Sequence, residues 1–393
     1  MRQRSNRHLV RRHRAVRAHR TAEFATPPSE VACSGILDAA HAGHGFLRPI
    51  TPTLHRSPDD CFVPGTLIRT FRLRPGVALD GLARHQAGQS PQLTSITTIN
   101  GLAPGDWAGI REFSEHEVVS PTQWIRLEGA QNDPAMRVVD LFCPLGRGQR
   151  ALIVSPPKAG KTILLQQLAH AISTNHPDID LSVLLIDERP EEVTDMRRSI
   201  KGMVFASSSD TERADQVKLA QLVLEYAKRK VETGRDVVLL LDSLTRLGRA
   251  FNIHQRGSGR TLSGGVDARA LEIPKRIFGA ARKLDGHGSL TIIATVLIDT
   301  GSRMDEIIFQ EFKGTGNMEL VLARSLANER IFPAIDLSLS GTRREELLFG
   351  PDLSTHQALR RSLARRSPRE AMIAVQKLVA QYRTNDLLLA KFL

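Results

Sequence analysis

From about residue 135 onward the apolar positions fall into two alternating patterns. Unbroken runs such as "ALIVS" (151–155), "LSVLLIDE" (181–188), "GMVFASS" (202–208), "DVVLLLDS" (236–243) and "SLTIIATVLID" (289–299) have strand length and no polar face. Strands covered on both sides read this way. Between them lie amphipathic stretches of helical period, including 161–172, 189–200 and a long one reaching Val231. The alternation predicts an α/β domain over 135–393, with a mostly parallel sheet and helices on both faces. Residues 31–100 differ: short β-type runs ("GILDA", "GFLRPI", "CFVPGTLIRTF", "GVALDGLAR", "QLTSITTIN") alternate with turn signals, which predicts a small barrel. A connector, 101–134, carries Trp107 and Trp124, both expected to be packing anchors. No run approaches the ~18 apolar residues of a membrane helix.

Charge adds a fourth zone, residues 1–30. Of the net +12, eight arginines within residues 1–20 supply +8 with no acid beside them, leaving +4 for the rest of the chain. This segment lacks the continuous apolar core of a secretory signal. It has little of the serine content of an organellar transit sequence, and it reads as a basic, disordered arm attracting polyanions. Cys33, Cys61 and Cys143 form no C-x-x-C pair, so they are expected to be buried thiols in a reducing compartment rather than disulfides or zinc ligands.

The candidate chemistry begins at "SPPKAGKT" (155–162), between an apolar strand and a helix. This is the context of a phosphate-binding loop, although Ser155 stands where the pattern has glycine. In such a loop Gly160 lets the backbone approach, Lys161 reaches the β and γ phosphates, and Thr162 offers its hydroxyl to Mg²⁺. Two further strands end in carboxylates. Asp242 is placed to meet a Mg²⁺-bound water, and Glu188 to polarise an attacking water. Lys158, Arg189 and Arg246 add cations close by.

These residues closely resemble the bacterial transcription termination factor Rho family. The shared blocks include "GRGQRALIVSPPKAGKT", "LLIDERPEEVTDM", "LLLDSLTRLGRAFN", "SGRTLSGGVDARAL", "SLTIIATVLIDTGSRMDE", "EFKGTGNMEL" and "FPAIDLSLSGTRREELL". The family's loop also carries a small residue and two prolines at Ser155–Pro157. The resemblance implies a RecA-like P-loop ATPase with an OB or cold-shock-like RNA-binding barrel, assembled as a homo-hexameric ring in the bacterial cytoplasm. Such a ring would hydrolyse ATP with Mg²⁺, translocate along nascent single-stranded RNA and end transcription at the elongation complex. Gly146, Arg147, Gly148, Gln149, Arg150 and Ala151, with Lys158, Ala159, Gly160, Lys161, Thr162 and Ile163, resemble nucleotide-binding segments, and Phe332 an adenine wall. Glu188 is similar to the catalytic base, Asp242 to the Mg²⁺ acid, and Arg189 and Arg246 to nucleotide-site arginines. Arg343, assisted by Arg330, resembles an arginine finger reaching a neighbour.

Primary RNA contacts are implied at Gly43, His44, Gly45, Phe46, Leu47, Arg48, Asp60, Cys61 and Phe62. Pore-loop contacts are implied at Arg260, Thr261, Leu262, Ser263, Gly264, Gly265 and Arg303. Two departures bear on RNA choice. His44 replaces phenylalanine, and Gly88 and Ser90 stand where the family brings an acid and a tyrosine. By the resemblance, the arginine arm is expected to stand where the family has an N-terminal helical bundle. Alternatives are a regulator of termination with weak helicase activity and another RecA-like ring ATPase, such as a rotary ATP synthase subunit or a recombinase.

Overall fold

The computed structural model describes residues 29–39, 43–85, 89–254, 265–267 and 269–392; the arginine-rich arm, Gly88 and the pore-loop residues 260–264 lie outside them. Strands β1 (Ser29–Ala39), β2 (Gly45–Arg48), β3 (Cys61–Val63), β4 (Ala78–His85) and β5 (Gln92–Ile99) close a barrel in the order β1-β2-β3-β5-β4. Only β3 and β5 pair in parallel. Its interior is filled from alternate strand positions, among them Leu37, Leu47, Cys61, Val63, Leu79 and Leu93, with Trp107 of the connector closing one side.

The second sheet comprises β6 (Val118–Val119), β7 (Arg150–Ser155), β8 (Asp180–Glu188), β9 (Met203–Ser208), β10 (Asp236–Asp242), β11 (Arg282–Leu284), β12 (Ser289–Leu297), β13 (Met318–Val321) and β14 (Gly341–Thr342). Its main path is β14-β13-β7-β12-β10-β8-β9, parallel from β13 to β9, with β14 antiparallel at one edge. The unbroken apolar runs are explained by burial on both faces. In β7, Ala151 and Ile153 join one core while Leu152 and Val154 join the other, and in β10 Val238 and Leu240 oppose Val237, Leu239 and Leu241. Helices Pro134–Phe142, Lys161–Asn175 and Pro368–Gln381 cover the first face; Arg213–Glu232 and Leu244–His254 cover the second.

The barrel docks on the helix Arg213–Glu232. Glu232 is fully buried and takes Arg74 at 2.8 Å, Arg229 at 2.9 Å and the Phe113 N–H at 2.7 Å. Burial pushes its carboxyl above the usual range, and the two guanidinium groups oppose that rise. Gly76 (φ 86°) packs directly on the Glu225–Tyr226 backbone, where a Cβ would lie 2.4 Å from a carbonyl carbon. No side chain fits at that contact.

Candidate ATP and RNA sites

Parallel α/β sheets bind ligands beyond the carboxyl ends of their strands, and Ser155, Glu188 and Asp242 all lie on that edge. After β7 the chain turns through Pro156–Gly160 into helix Lys161–Asn175, whose N-cap Gly160 is left-handed (φ 89°) and supplies no side-chain cap. The first-turn N–H groups are therefore free to meet an anion. Ser155 is buried, and its hydroxyl donates to the Pro156 carbonyl at 2.9 Å. A small residue suffices where the general pattern has glycine.

Lys161 Nζ lies 2.6 and 2.7 Å from the two carboxylate oxygens of Asp242, and Thr295 donates to Asp242 at 2.7 Å. Beside them Glu188 is 2% exposed. Arg246 donates to Glu188 Oε1 at 2.9 Å and also to the Asp187 carbonyl, while Glu188 Oε2 has no partner among the described residues. Burial raises the Glu188 pKa and the Asp242 charge adds to the rise, against Arg246 and Lys161. Arg189 occupies the N-cap position of the next helix without a side-chain capping bond, and its side chain is exposed.

Between the loop helix and Phe332 is a cavity of about 350 Å³, lined by Ala159, Gly160, Ile163, Gln167, Leu322 and Pro333 among others. Ile163 and Phe332 remain 63% and 46% exposed, so a flat apolar base has two uncovered side chains to rest on. The sequence reading missed Gln167, Leu322 and Thr295. Thr295 carries a signal, being a lone hydroxyl inside "IIATVLI".

Two groups fall elsewhere. Gly146, Arg147, Gly148, Gln149 and Arg150 sit at the amino end of β7, roughly 16 Å from the loop at ~3.3 Å per strand residue. There Arg147 pairs with Asp178 (2.8 Å) and Asp236 (2.5 Å), Gln149 donates to the Asn317 carbonyl (3.1 Å), and Arg150 donates to Thr315 (2.9 Å) and Ala281 (3.0 Å) carbonyls. Ala151 is core. These six positions are not part of their own subunit's phosphate site, because the strand carries them to the opposite edge. Arg343 shares that edge: its N–H donates to Asn317 at 2.8 Å, its charge opposes that of Arg150, and it lines an 820 Å³ cleft. Arg330 is instead at the carboxyl edge, two residues before Phe332, so one subunit does not bring Arg330 and Arg343 together.

On the barrel, Phe46 and Phe62 face each other across the β2–β3 pair with ring centroids 5.6 Å apart. His44 joins them at 5.4 Å from Phe62 and 6.1 Å from Phe46, so the substituted position still supplies a ring. Arg56, which the sequence reading missed, lies 5.8 Å from the Phe46 centroid. Leu47 and Cys61 correct the expectation: at 1% and 4% exposed they point into the barrel, since alternate strand residues face opposite ways. Arg48 is buried and held by Asp38 (2.5 Å) and by Asp60, whose Oδ1 has no partner among the described residues. The Ser90 hydroxyl donates to the Pro58 carbonyl at 2.7 Å. Gly43 is an exposed turn residue. Of the pore loops, Gly265 accepts from Asn252 at 3.0 Å, and Arg303 is exposed at the start of helix Arg303–Lys313.

A phosphate loop at the carboxyl edge of a parallel sheet, with carboxylates ending β10 and β8 on the same edge, defines a P-loop ATPase, here joined to a nucleic-acid-type barrel. Residues 135–342 match the ATP synthase alpha/beta family, nucleotide-binding domain, and residues 33–105 the Rho termination factor, RNA-binding domain. The chain is 48% identical over 369 residues to transcription termination factor Rho of Cereibacter sphaeroides, covering 92% of this chain and 86% of that one. It is 48% identical over 358 residues to the Rho of Buchnera aphidicola, covering 90% and 85%. A prototypical ATPase from the type III secretion system of pathogenic bacteria is similar in fold, with a TM-score of 0.58 at 22% identity over 70% of this chain and 85% of that one. An ATP synthase subunit of Nanoarcheaum equitans gives 0.57 at 18% over 72% and 78%. The chain belongs to the transcription termination factor Rho family.

Proposed function

We propose that this protein is an RNA-dependent ATPase that works as a ring, translocates along nascent single-stranded RNA and terminates transcription. The observation that carries the reading is the joining, in one chain, of a phosphate loop backed by Glu188 and Asp242 to a barrel with a three-ring face. The relatives' shared name supports termination as the outcome. A bacterial cytoplasmic location goes with that role.

In this reading Lys161 neutralises the transferring phosphate, and Glu188, with one carboxylate oxygen held by Arg246 and the other unpartnered among the described residues, takes the proton of the attacking water. Thr162 and Asp242 would hold Mg²⁺. One carboxylate and one hydroxyl fit that ion, which takes most of its shell from phosphates and water, and among the described residues no cluster of three metal-type ligands exists. Bound Mg²⁺ supplies charge neutralisation of the phosphates. Phe332 and Ile163 stack the base.

ATP turnover with and without poly-C and poly-U RNA, alongside Lys161→Ala, tests the reading. RNA should raise wild-type turnover and Lys161→Ala should abolish it. RNA-independent hydrolysis would favour a rotary or recombinase-type ATPase, and no hydrolysis a termination regulator.

A further inference from the structure

The loop 49–60 joins β2 and β3, the two strands that carry Phe46 and Phe62, by way of the ATPase domain. The Pro52 carbonyl accepts the Ala206 N–H of β9 at 2.8 Å. Leu54, left-handed at φ 46°, is buried in the core that helices Arg213–Glu232 and Leu244–His254 cover. The chain then turns back and brings Arg56 beside Phe46. A cavity of about 410 Å³ opens there between the loop, the barrel and helix Arg213–Glu232, with Asp38, Phe46, Arg48, Arg56, Asp215 and Lys218 among its lining. Its size lies within the roughly 300–1,000 Å³ of small-ligand sites. Of its charged groups, Arg48 is already held by Asp38 and Asp60. Arg56 is exposed and enters no salt bridge among the described residues. Lys218, its side chain 69% exposed, reaches Asp215 at 3.8 Å, and such an exposed pair is weak enough in water to give way to a phosphate. Two available cations, one on the loop wall and one on the helix wall, therefore flank an aromatic ring that also belongs to the stacking face.

We propose that this cavity holds one further nucleotide of the single-stranded RNA bound on the barrel, its base against the Phe46 ring and its flanking phosphates on Arg56 and Lys218. A strand that runs along the ring face past Phe46 enters the cavity directly, because that ring lines both places. Stacking on an aromatic ring between cations is how sequence-tolerant single-strand sites are built. The ATPase domain thereby contributes an RNA contact of its own, on the helix against which the barrel docks. RNA in the cavity bridges the two domains, and Lys218 and Arg56 set affinity rather than base preference.

The subsite rests on the RNA-binding reading proposed above. The full-length protein and its variants are titrated with fluorescent oligocytidylate over a range of salt and followed by anisotropy. Arg56→Ala and Lys218→Ala should each lower affinity about two- to fivefold, the worth of an exposed ion pair, and flatten the log–log salt dependence by about 0.7. Lys218→Arg should restore both. Arg213→Ala, an equal loss of charge on the same helix outside the cavity, should leave the slope unchanged. In a second measurement, oligouridylate carrying thiouridine is irradiated on the wild type and the cross-linked peptides are mapped; residues 54–56 and 215–222 should be labelled. Wild-type slopes in Arg56→Ala and Lys218→Ala, an equal fall in Arg213→Ala, or cross-links confined to 44–48 and 60–62 would overturn the inference. A wild-type protein that binds no RNA would instead overturn the functional reading beneath it.

Discussion

Glu188 combines burial, an Arg246 contact on one oxygen and a second oxygen without a partner among the described residues. A general base must be ionised, so turnover falls as pH drops through its pKa. Because burial and Asp242 raise that pKa, the acid limb of kcat should lie above the ~4.3 of an ordinary glutamate. Arg246→Ala removes a charge that opposes the rise, so its limb should move to higher pH in a kcat–pH profile; an unmoved limb would reject the pairing. Glu188→Gln should lower kcat by about 10² to 10⁴ with RNA affinity kept. Lys161, Glu188 and Asp242 were legible in the sequence because each lies at a boundary of an apolar strand or the helix after it. Thr295 was less so, since one hydroxyl in a buried strand also occurs for packing reasons. Its donation to Asp242 depends on β12 lying beside β10, a tertiary fact.

Contiguous motifs mislead where an element splits them. Residues 44–48 and 60–62 each read as one RNA-contact block, yet the strand period sends Phe46 and Phe62 outward and Leu47 and Cys61 inward. Phe62→Ala should therefore weaken RNA binding by about 1 to 3 kcal/mol with little change in melting temperature. Leu47→Ala should instead cost about 2 to 5 kcal/mol of stability, separable by anisotropy and thermal melts. In the same way "GRGQRALIVSPPKAGKT" is continuous in sequence, but β7 separates Gly146 and Gly148 from the phosphate loop by the length of the strand. The arginine-rich segment, residues 1–20, supplies +8 of the net +12. Deleting residues 1–20 should lower RNA affinity and flatten its dependence on salt, since fewer counterions are released; an unchanged slope would show that the arm does not touch RNA.

At the scale of the whole molecule, the carboxyl edge of the sheet carries Lys161, Glu188, Asp242 and the Phe332 cavity, and the amino edge carries Arg343 beside Arg150. If Arg343 acts as the proposed finger, it cannot serve its own phosphate loop across the strand length, but it can serve a neighbour stacked head to tail, which is the heterologous contact that closes rings. This gives a test independent of any structure of the assembly. Arg343→Ala should lower RNA-stimulated turnover by about 10³ to 10⁵, and Lys161→Ala should be inactive alone. Mixed after dissociation and reassembly, the two variants create interfaces in which an intact Lys161 faces an intact Arg343. Turnover should then return to a fraction of wild type that depends on the mixing ratio. If Arg343 acted on its own subunit, every subunit in the mixture would lack one of the two groups and no ratio would restore activity.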